Sequence, residues 1–416
     1  MRAFPLLSLF LTSLAITSFA SAASTTAAPL NTDWPAFRGP VSSGASPSAE
    51  IPNQPKIAWS AKLPGRGLSS PIIIGEKVFV TAAEGPDQER LRVLCFRAKD
   101  GARLWERQLL ATGRTMTHAK TCVAANTPCS DGKRLFALWS SNDLAAFDFE
   151  GNLLWLRGLT ADYSNASNSL GMASSPVTVG TTLVVQIEND SESYALGIDT
   201  TTGKNLWKLE RPKFANWSSP VPLPARAGFP AAVLLQSKEG VCAVDVATGK
   251  TLWQLAGNAS TMSSGVALQD VVYLPASGVT ALGVPALGVS EPQTLWNARQ
   301  INPSTTSPLL LQNRLFTVNN AGILTMAETT AGDIKWKLRL VGPFSGSPVG
   351  AGDRIVLINE KALLQVVNAA APEGEVLGQL QLPLNEATKE LSLCTPALSG
   401  GRVFVRTDST LWCVTQ

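Results

Sequence analysis

The sequence predicts an all-β fold, an eight-bladed β-propeller of four-stranded antiparallel blades. Three observations predict it. A tryptophan recurs at a spacing of 40 to 52 residues, a Ser/Thr-Pro pair recurs as often, and short β-branched or aromatic runs lie between them. The tryptophans are Trp59, Trp105, Trp155, Trp207, Trp253, Trp296 and Trp336, with gaps of 46, 50, 52, 46, 43 and 40 residues. One further step reaches Leu377-Gly378, where the same unit recurs without its Trp. The second series is Ser70-Pro71, Thr127-Pro128, Ser175-Pro176, Ser219-Pro220, Ser307-Pro308, Ser347-Pro348 and Thr395-Pro396, with Ser264-Gly265 in the vacant slot. Each series counts eight units, and a fixed period of this length marks a repeat architecture. Seven blades is the competing count.

Within a unit, runs such as Lys77-Val78-Phe79-Val80, Leu183 to Ile187, Val271 to Leu274 and Arg402 to Arg406 have the composition of strands. Gly, Asn and Asp punctuate them, and no stretch keeps a helical period. Four short strands in such a repeat describe a propeller blade; a solenoid of similar period needs helices. The first tryptophan strand, Lys56 to Ser60, has no strands of its own before it, and the last unit lacks a fourth strand. The N-terminal strand is therefore expected to complete the C-terminal blade and close the ring.

The turn before each tryptophan is clearest in Ala243-Val244-Asp245-Val246-Ala247-Thr248-Gly249-Lys250-Thr251-Leu252-Trp253 and repeats in Gly197 to Trp207. Asp and Thr can hydrogen-bond the turn backbone, and Gly accepts positive φ. The seven tryptophans are expected to pack between neighbouring blades, each indole N–H seeking an acceptor.

Lys and Arg number 34 against 31 Asp and Glu, for a net charge of +3. That balance argues against a nucleic-acid binder driven by bulk electrostatics. A single histidine excludes a multi-His metal site. Residues 1–22 have the basic end, apolar middle and Ala-x-Ala site of a signal peptide, and 23–32 read as a flexible leader to a single propeller domain, 33–416. No Cys follows the cleavage site, and no later stretch is long enough to span a bilayer. The expected product is a monomeric exported protein, periplasmic or secreted, without a lipid anchor. Export permits disulfides. Cys122 and Cys129 are spaced to pair across a local turn, whereas Cys95, Cys242 and Cys413 sit at similar places in three repeats and read as small buried hydrophobes.

The A-x-D-x-x-T-G-x-x-x-W pattern resembles the tryptophan-docking repeat of quinoprotein, PQQ-type propellers. The opening Asp33-Trp34-Pro35-Ala36-Phe37-Arg38-Gly39-Pro40 sharpens the match, as do Ser174-Ser175-Pro176-Val177 and Trp217-Ser218-Ser219-Pro220-Val221. The chain from about residue 33 onward is similar to the exported bacterial PQQ-binding-like β-propeller repeat family, with an architecture like that of BamB. The resemblance implies a fold, since propellers host many activities. The quinoprotein dehydrogenases of this superfamily hold PQQ and Ca²⁺ with an adjacent Cys-Cys pair, a Glu/Asn cation set and a catalytic Asp. Here no two Cys are adjacent, and Glu188-Asn189-Asp190 is the only compact set of hard oxygen donors, read otherwise as a polar turn.

Three loops precede Ser-Pro strands and are expected to converge on one mouth of the ring: 107–125 with Arg114, His118 and Lys120, 162–168, and 211–217 with Arg211 and Trp217. Arg114, His118, Lys120, Arg211 and Trp217 are the candidate ligand-binding residues. Asn319, Glu360 and Arg406 recur late in second strands and either line the other end of the channel or cap hairpins. No Ser-His-Asp arrangement, phosphate loop or metal motif is legible, and no catalytic residue is assigned. The expected function is non-catalytic binding or scaffolding of a protein or polymer through one face, with no cofactor. A PQQ/Ca-dependent oxidoreductase or another channel-mouth enzyme is the alternative.

Overall fold

The computed structural model describes residues 1, 32–47, 49–166 and 170–416. The expected signal peptide beyond Met1, and the leader up to residue 31, lie outside the described residues. Among these, the strands form eight antiparallel blades, so the count is eight and not seven. Blade 1 runs outward from Ile72–Ile74 through Lys77–Glu84 and Arg90–Arg97 to Arg103–Leu110. Blades 2 to 7 follow in chain order, each starting with a strand of two or three residues at the channel. Blade 8 takes Ala397–Ser399, Arg402–Arg406 and Thr410–Thr415 from the C-terminus and Lys56–Lys62 as its outer strand. The closure expected from the incomplete end units is thus present, with Trp59 paired opposite Cys413.

The outer strands explain the tryptophan series. Each tryptophan lies opposite one residue of the third strand, and the register of that pair of strands shifts by a residue beside it. The opposing residues are Cys95, Ala146, Gly197, Ala243, Ala281, Met326 and Cys413. Most are small, as a bulky indole directly across the ladder requires. Blade 7 has Gly378 at the equivalent place, opposite Val366. A Cβ there would collide with the Asn53 carbonyl, because the segment leading into the closing strand covers this spot. The missing eighth tryptophan therefore has a steric cause. Cys242 pairs with Gln254 rather than a tryptophan, one residue out of step with Cys95 and Cys413. That single step turns it to the opposite face of its strand.

Five indoles donate to a carbonyl of the next blade: Trp59 to Ala98 at 3.0 Å, Trp105 to Phe149 at 2.9 Å, Trp155 to Thr200 at 3.1 Å, Trp207 to Val246 at 2.8 Å and Trp296 to Thr329 at 3.0 Å. Gly249 sits at φ +73, and a Cβ on it would lie 2.6 Å from the Trp207 ring. Asp245 holds that turn by accepting from the Ala247 and Thr248 N–H groups at 2.9 and 2.8 Å and from the Thr248 hydroxyl at 2.9 Å. Asp199 does the same in the preceding blade.

All six cysteines are free and buried. The expected Cys122–Cys129 bridge is absent: Cys122 packs with Val123 and Trp139, while Cys129 joins the separate apolar cluster of Phe136 and Ile187.

A second N-terminal segment lies inside the ring. Trp34 bridges Ile73 of blade 1, and Pro35 accepts from Ser130 of blade 2. Arg38 reaches the carbonyls of Gly265 and Pro308 in blades 5 and 6. Ala45–Ser46 then pairs in parallel with the inner strand of blade 7, Val349–Ala351. Residues 33–46 thus form a strap across the channel. Its sharp path runs through Arg38, Gly39, Val41 and Ser42, all at positive φ.

Candidate functional site

The Ser/Thr-Pro series builds a closed ring around the channel. The backbone N–H of each Ser or Thr donates to the hydroxyl of its counterpart in the next blade. Ser70 donates to Thr127 at 2.9 Å, Thr127 to Ser175 at 3.0 Å, Ser175 to Ser219 at 2.9 Å and Ser219 to Ser264 at 2.9 Å. Ser264 continues to Ser307 at 3.0 Å, Ser307 to Ser347 at 2.9 Å, Ser347 to Thr395 at 3.0 Å, and Thr395 returns to Ser70 at 3.1 Å. The following proline stands immediately before the channel-edge strand, where no ladder bond requires its N–H. In blade 5 the proline is replaced by Gly265, and its N–H is satisfied by Gln236 Oε1 at 2.7 Å.

The ring forms the waist of a cavity of about 530 Å³ open at one end. Phe37 of the strap lines it, together with residues of the loops preceding the inner strands. Leu68, Leu170, Trp217, Met262 and Pro343 supply apolar surface, while His118, Lys120 and Glu360 supply charge or hydrogen-bonding capacity. Trp217 is fixed by its indole N–H on the Gly171 carbonyl at 2.7 Å. Glu360 accepts from the Ser345 hydroxyl at 2.7 Å and lies 3.9 Å from Lys120 Nζ.

The five candidate residues divide. His118, Lys120 and Trp217 line this cavity. Arg114 lines a separate polar pocket of about 370 Å³ with Thr112, Ser140 and Asn142. The loop expected at 162–168 contributes Ser164 and Ala166 to that pocket, and its Ser167 and Asn168 lie outside the described residues. Arg211 is not at the mouth. It is buried between blades 3 and 4, with Nε 2.6 Å from Glu188 and a guanidinium nitrogen 3.2 Å from Cys242 Sγ. Burial pushes the Glu188 carboxyl above its ordinary range, and Arg211, Asn216 and Gln186 pull it back. The loop arginine is drawn inward because this buried carboxylate needs a cation.

Glu360 belongs to the same mouth as His118, not to the other end of the channel. Asn319 caps a hairpin, accepting from Ile323 N–H at 3.0 Å. Arg406 is buried and ties blade 8 to blade 1 through the Thr81 carbonyl at 2.6 Å and the Ser69 hydroxyl at 3.1 Å. The hydroxyl ring itself was legible as a repeated landmark, but its chemistry was not. Only closure of the propeller shows that each hydroxyl meets the next blade.

A family profile described as outer membrane protein assembly factor BamB matches residues 52–196, 92–322 and 283–414. The chain belongs to this family. As a BamB-like propeller it superposes on BamB from Moraxella catarrhalis at 14% identity and TM-score 0.61, covering 87% of this chain and 98% of that one. It also superposes on the quinohemoprotein alcohol dehydrogenase of Comamonas testosteroni at 12% identity and TM-score 0.70, covering 92% of this chain and 80% of that one. A europium-containing methanol dehydrogenase aligns at 11% identity and TM-score 0.68, covering 93% and 98%. At these identities the likeness is one of fold. No curated protein matches the sequence. The fold is thus shared with BamB, with a quinohemoprotein alcohol dehydrogenase and with a methanol dehydrogenase.

The residues of this BamB-like chain do not fit a PQQ–calcium site at Glu188-Asn189-Asp190. The Glu188 oxygens already accept from Arg211, Asn216 and Gln186. The Asn189 amide is engaged with Glu192 and Ser191. Among the described residues no three His, Cys, Asp or Glu side chains converge as a metal set, and none of the described helices is long and apolar enough to cross a membrane.

Proposed function

We propose that this chain is an exported, non-catalytic propeller that binds a protein or polymer segment at the open mouth of its channel. The observation that carries the reading is the one-ended channel. The strap blocks one end, and the other presents a cavity whose apolar wall is interrupted by His118, Lys120 and Glu360. Such a surface, apolar with a few placed polar groups, suits recognition. The family profile, described as an assembly factor, supports a protein partner. Acting in the periplasm as a monomer agrees with the leader expected from the sequence and with a ring whose last blade is completed by Lys56–Lys62 of the same chain.

The test pairs two measurements on the mature chain. Reconstitution with PQQ and Ca²⁺ is expected to leave no retained chromophore and an unshifted thermal melt. A ligand of the native state at a hundredfold excess over its Kd would stabilise by about 2.7 kcal/mol, which a melt detects. Cross-linking at a photoreactive residue replacing Met262, at the rim, is expected to trap a discrete partner that Trp217→Ala and Lys120→Glu lose. A retained quinone spectrum with dye reduction would instead establish the oxidoreductase.

A further inference from the structure

We propose that the hydroxyl ring is a carboxylate-binding site, and that the mouth takes an apolar peptide segment ending in a free C-terminal carboxylate. The inference rests on the mouth reading above and specifies its ligand.

Each ring hydroxyl already accepts a backbone N–H. A Ser or Thr hydroxyl that accepts still has its own proton to donate. Among the described residues no protein acceptor takes those eight protons, so the waist of the cavity is a circle of unused donors.

Beside it lies a cation without a counter-ion. Arg38 is completely buried, and its guanidinium meets only the carbonyls of Gly265 and Pro308, the residues following Ser264 and Ser307 of the ring. Its Nε has no partner, and among the described residues no carboxylate lies within ion-pair distance of it. Buried charges are ordinarily paired. Burial alone pulls this group down to about 9. An anion at the ring would supply the missing charge through a low-dielectric path.

The walls argue for a peptide over a simple alkyl acid. The apolar residues Leu68, Leu170, Trp217 and Met262 share the lining with hydrogen-bonding ones. Thr121 Oγ1 is buried there without a partner. A peptide backbone offers acceptors to such a group; an alkyl tail offers none. A cavity of about 530 Å³ holds a chain end rather than a folded domain.

The experiment titrates the full mature chain with three probes. They are an acetylated apolar pentapeptide with a free C-terminus, the same peptide amidated, and octanoate. Binding is read by calorimetry and by tryptophan fluorescence. The free acid is expected to bind at least about tenfold more tightly than the amide, as a charge-assisted contact predicts. Octanoate is expected to bind more weakly than the peptide acid. The double variant Ser264→Ala/Ser307→Ala, checked by its melt, removes two of the eight ring hydroxyls, those beside the Arg38 contacts, and should narrow the acid–amide difference. The wild-type comparison stands even if that variant fails to fold. Equal affinity for acid and amide overturns the carboxylate site and leaves mouth binding intact. Octanoate binding as tightly as the peptide acid overturns the peptide. No response to any probe also overturns the inference, and the cross-linking result then decides the mouth reading independently.

Discussion

Glu390 shows how single side chains in this propeller are tuned by where the chain places donors. Burial works against its charge, but the Thr407 and Ser409 hydroxyls and the Asn385 and Ser409 N–H groups hold it below the usual carboxylate range. A carboxyl depressed in the folded state stabilises above its unfolded value, and the contribution is lost as pH falls through the folded one. Glu390→Gln is therefore expected to lower the melting temperature at neutral pH, with the gap to wild type narrowing below about pH 4.3. A gap that widens toward acid would count against this. The buried thiols make a second residue-scale test. Burial pushes Cys122 up to about 11 and Cys95 and Cys413 up to about 12. The native protein is expected to resist a thiol reagent at pH 8, and the denatured chain to titrate all six. Two thiols fewer in denaturant would restore the Cys122–Cys129 bridge. At this scale the sequence was least informative. Arg211 and Arg114 read alike as loop cations, yet one is spent on buried Glu188 and the other lines a separate pocket. Nothing local to Arg211 announces a carboxylate 23 residues away.

In the blade, two devices lock neighbours together: the outer-strand tryptophan and the inner hydroxyl. Trp207→Ala removes a buried ring and its bond to Val246, and is expected to cost about 3–5 kcal/mol in a denaturant melt. Gly249→Ala meets both positive φ and the Trp207 ring, so it should be clearly destabilising, whereas alanine at Gly180, also at positive φ but in open space, should cost only its backbone strain. Equal losses at the two glycines would refute the packing argument. Ser219→Ala leaves the buried Ser175 N–H without its acceptor, a cost of about 1–3 kcal/mol. The blades were the most legible level. Turn residues, tryptophan and Ser/Thr-Pro landmarks are local and recur in most of the eight units, so each unit corroborates the next. Gly378 was the exception, because its explanation lies in residues 53–55, far away in sequence.

Across the whole molecule, ring closure depends on Lys56–Lys62 lying against Thr410–Thr415. A chain beginning after residue 62 would expose that edge and is expected to associate, detectable by light scattering against concentration. Closure was readable from two incomplete units at the chain ends. The strap was not, because Asp33 to Ser46 has no periodicity and gains meaning only from the blades that it touches around the ring. That strap and the closing strand together impose an order in time. Residues 33–46 make their partners with blades that are synthesised after them, and the closing strand Lys56–Lys62 waits for Thr410–Thr415. The ring must consequently assemble around its own beginning. Contacts of such long sequence separation form late and slowly, and until they do an unpaired strand stays exposed. For a protein of this design, whatever shelters the nascent N-terminus governs how much of it ever becomes a ring.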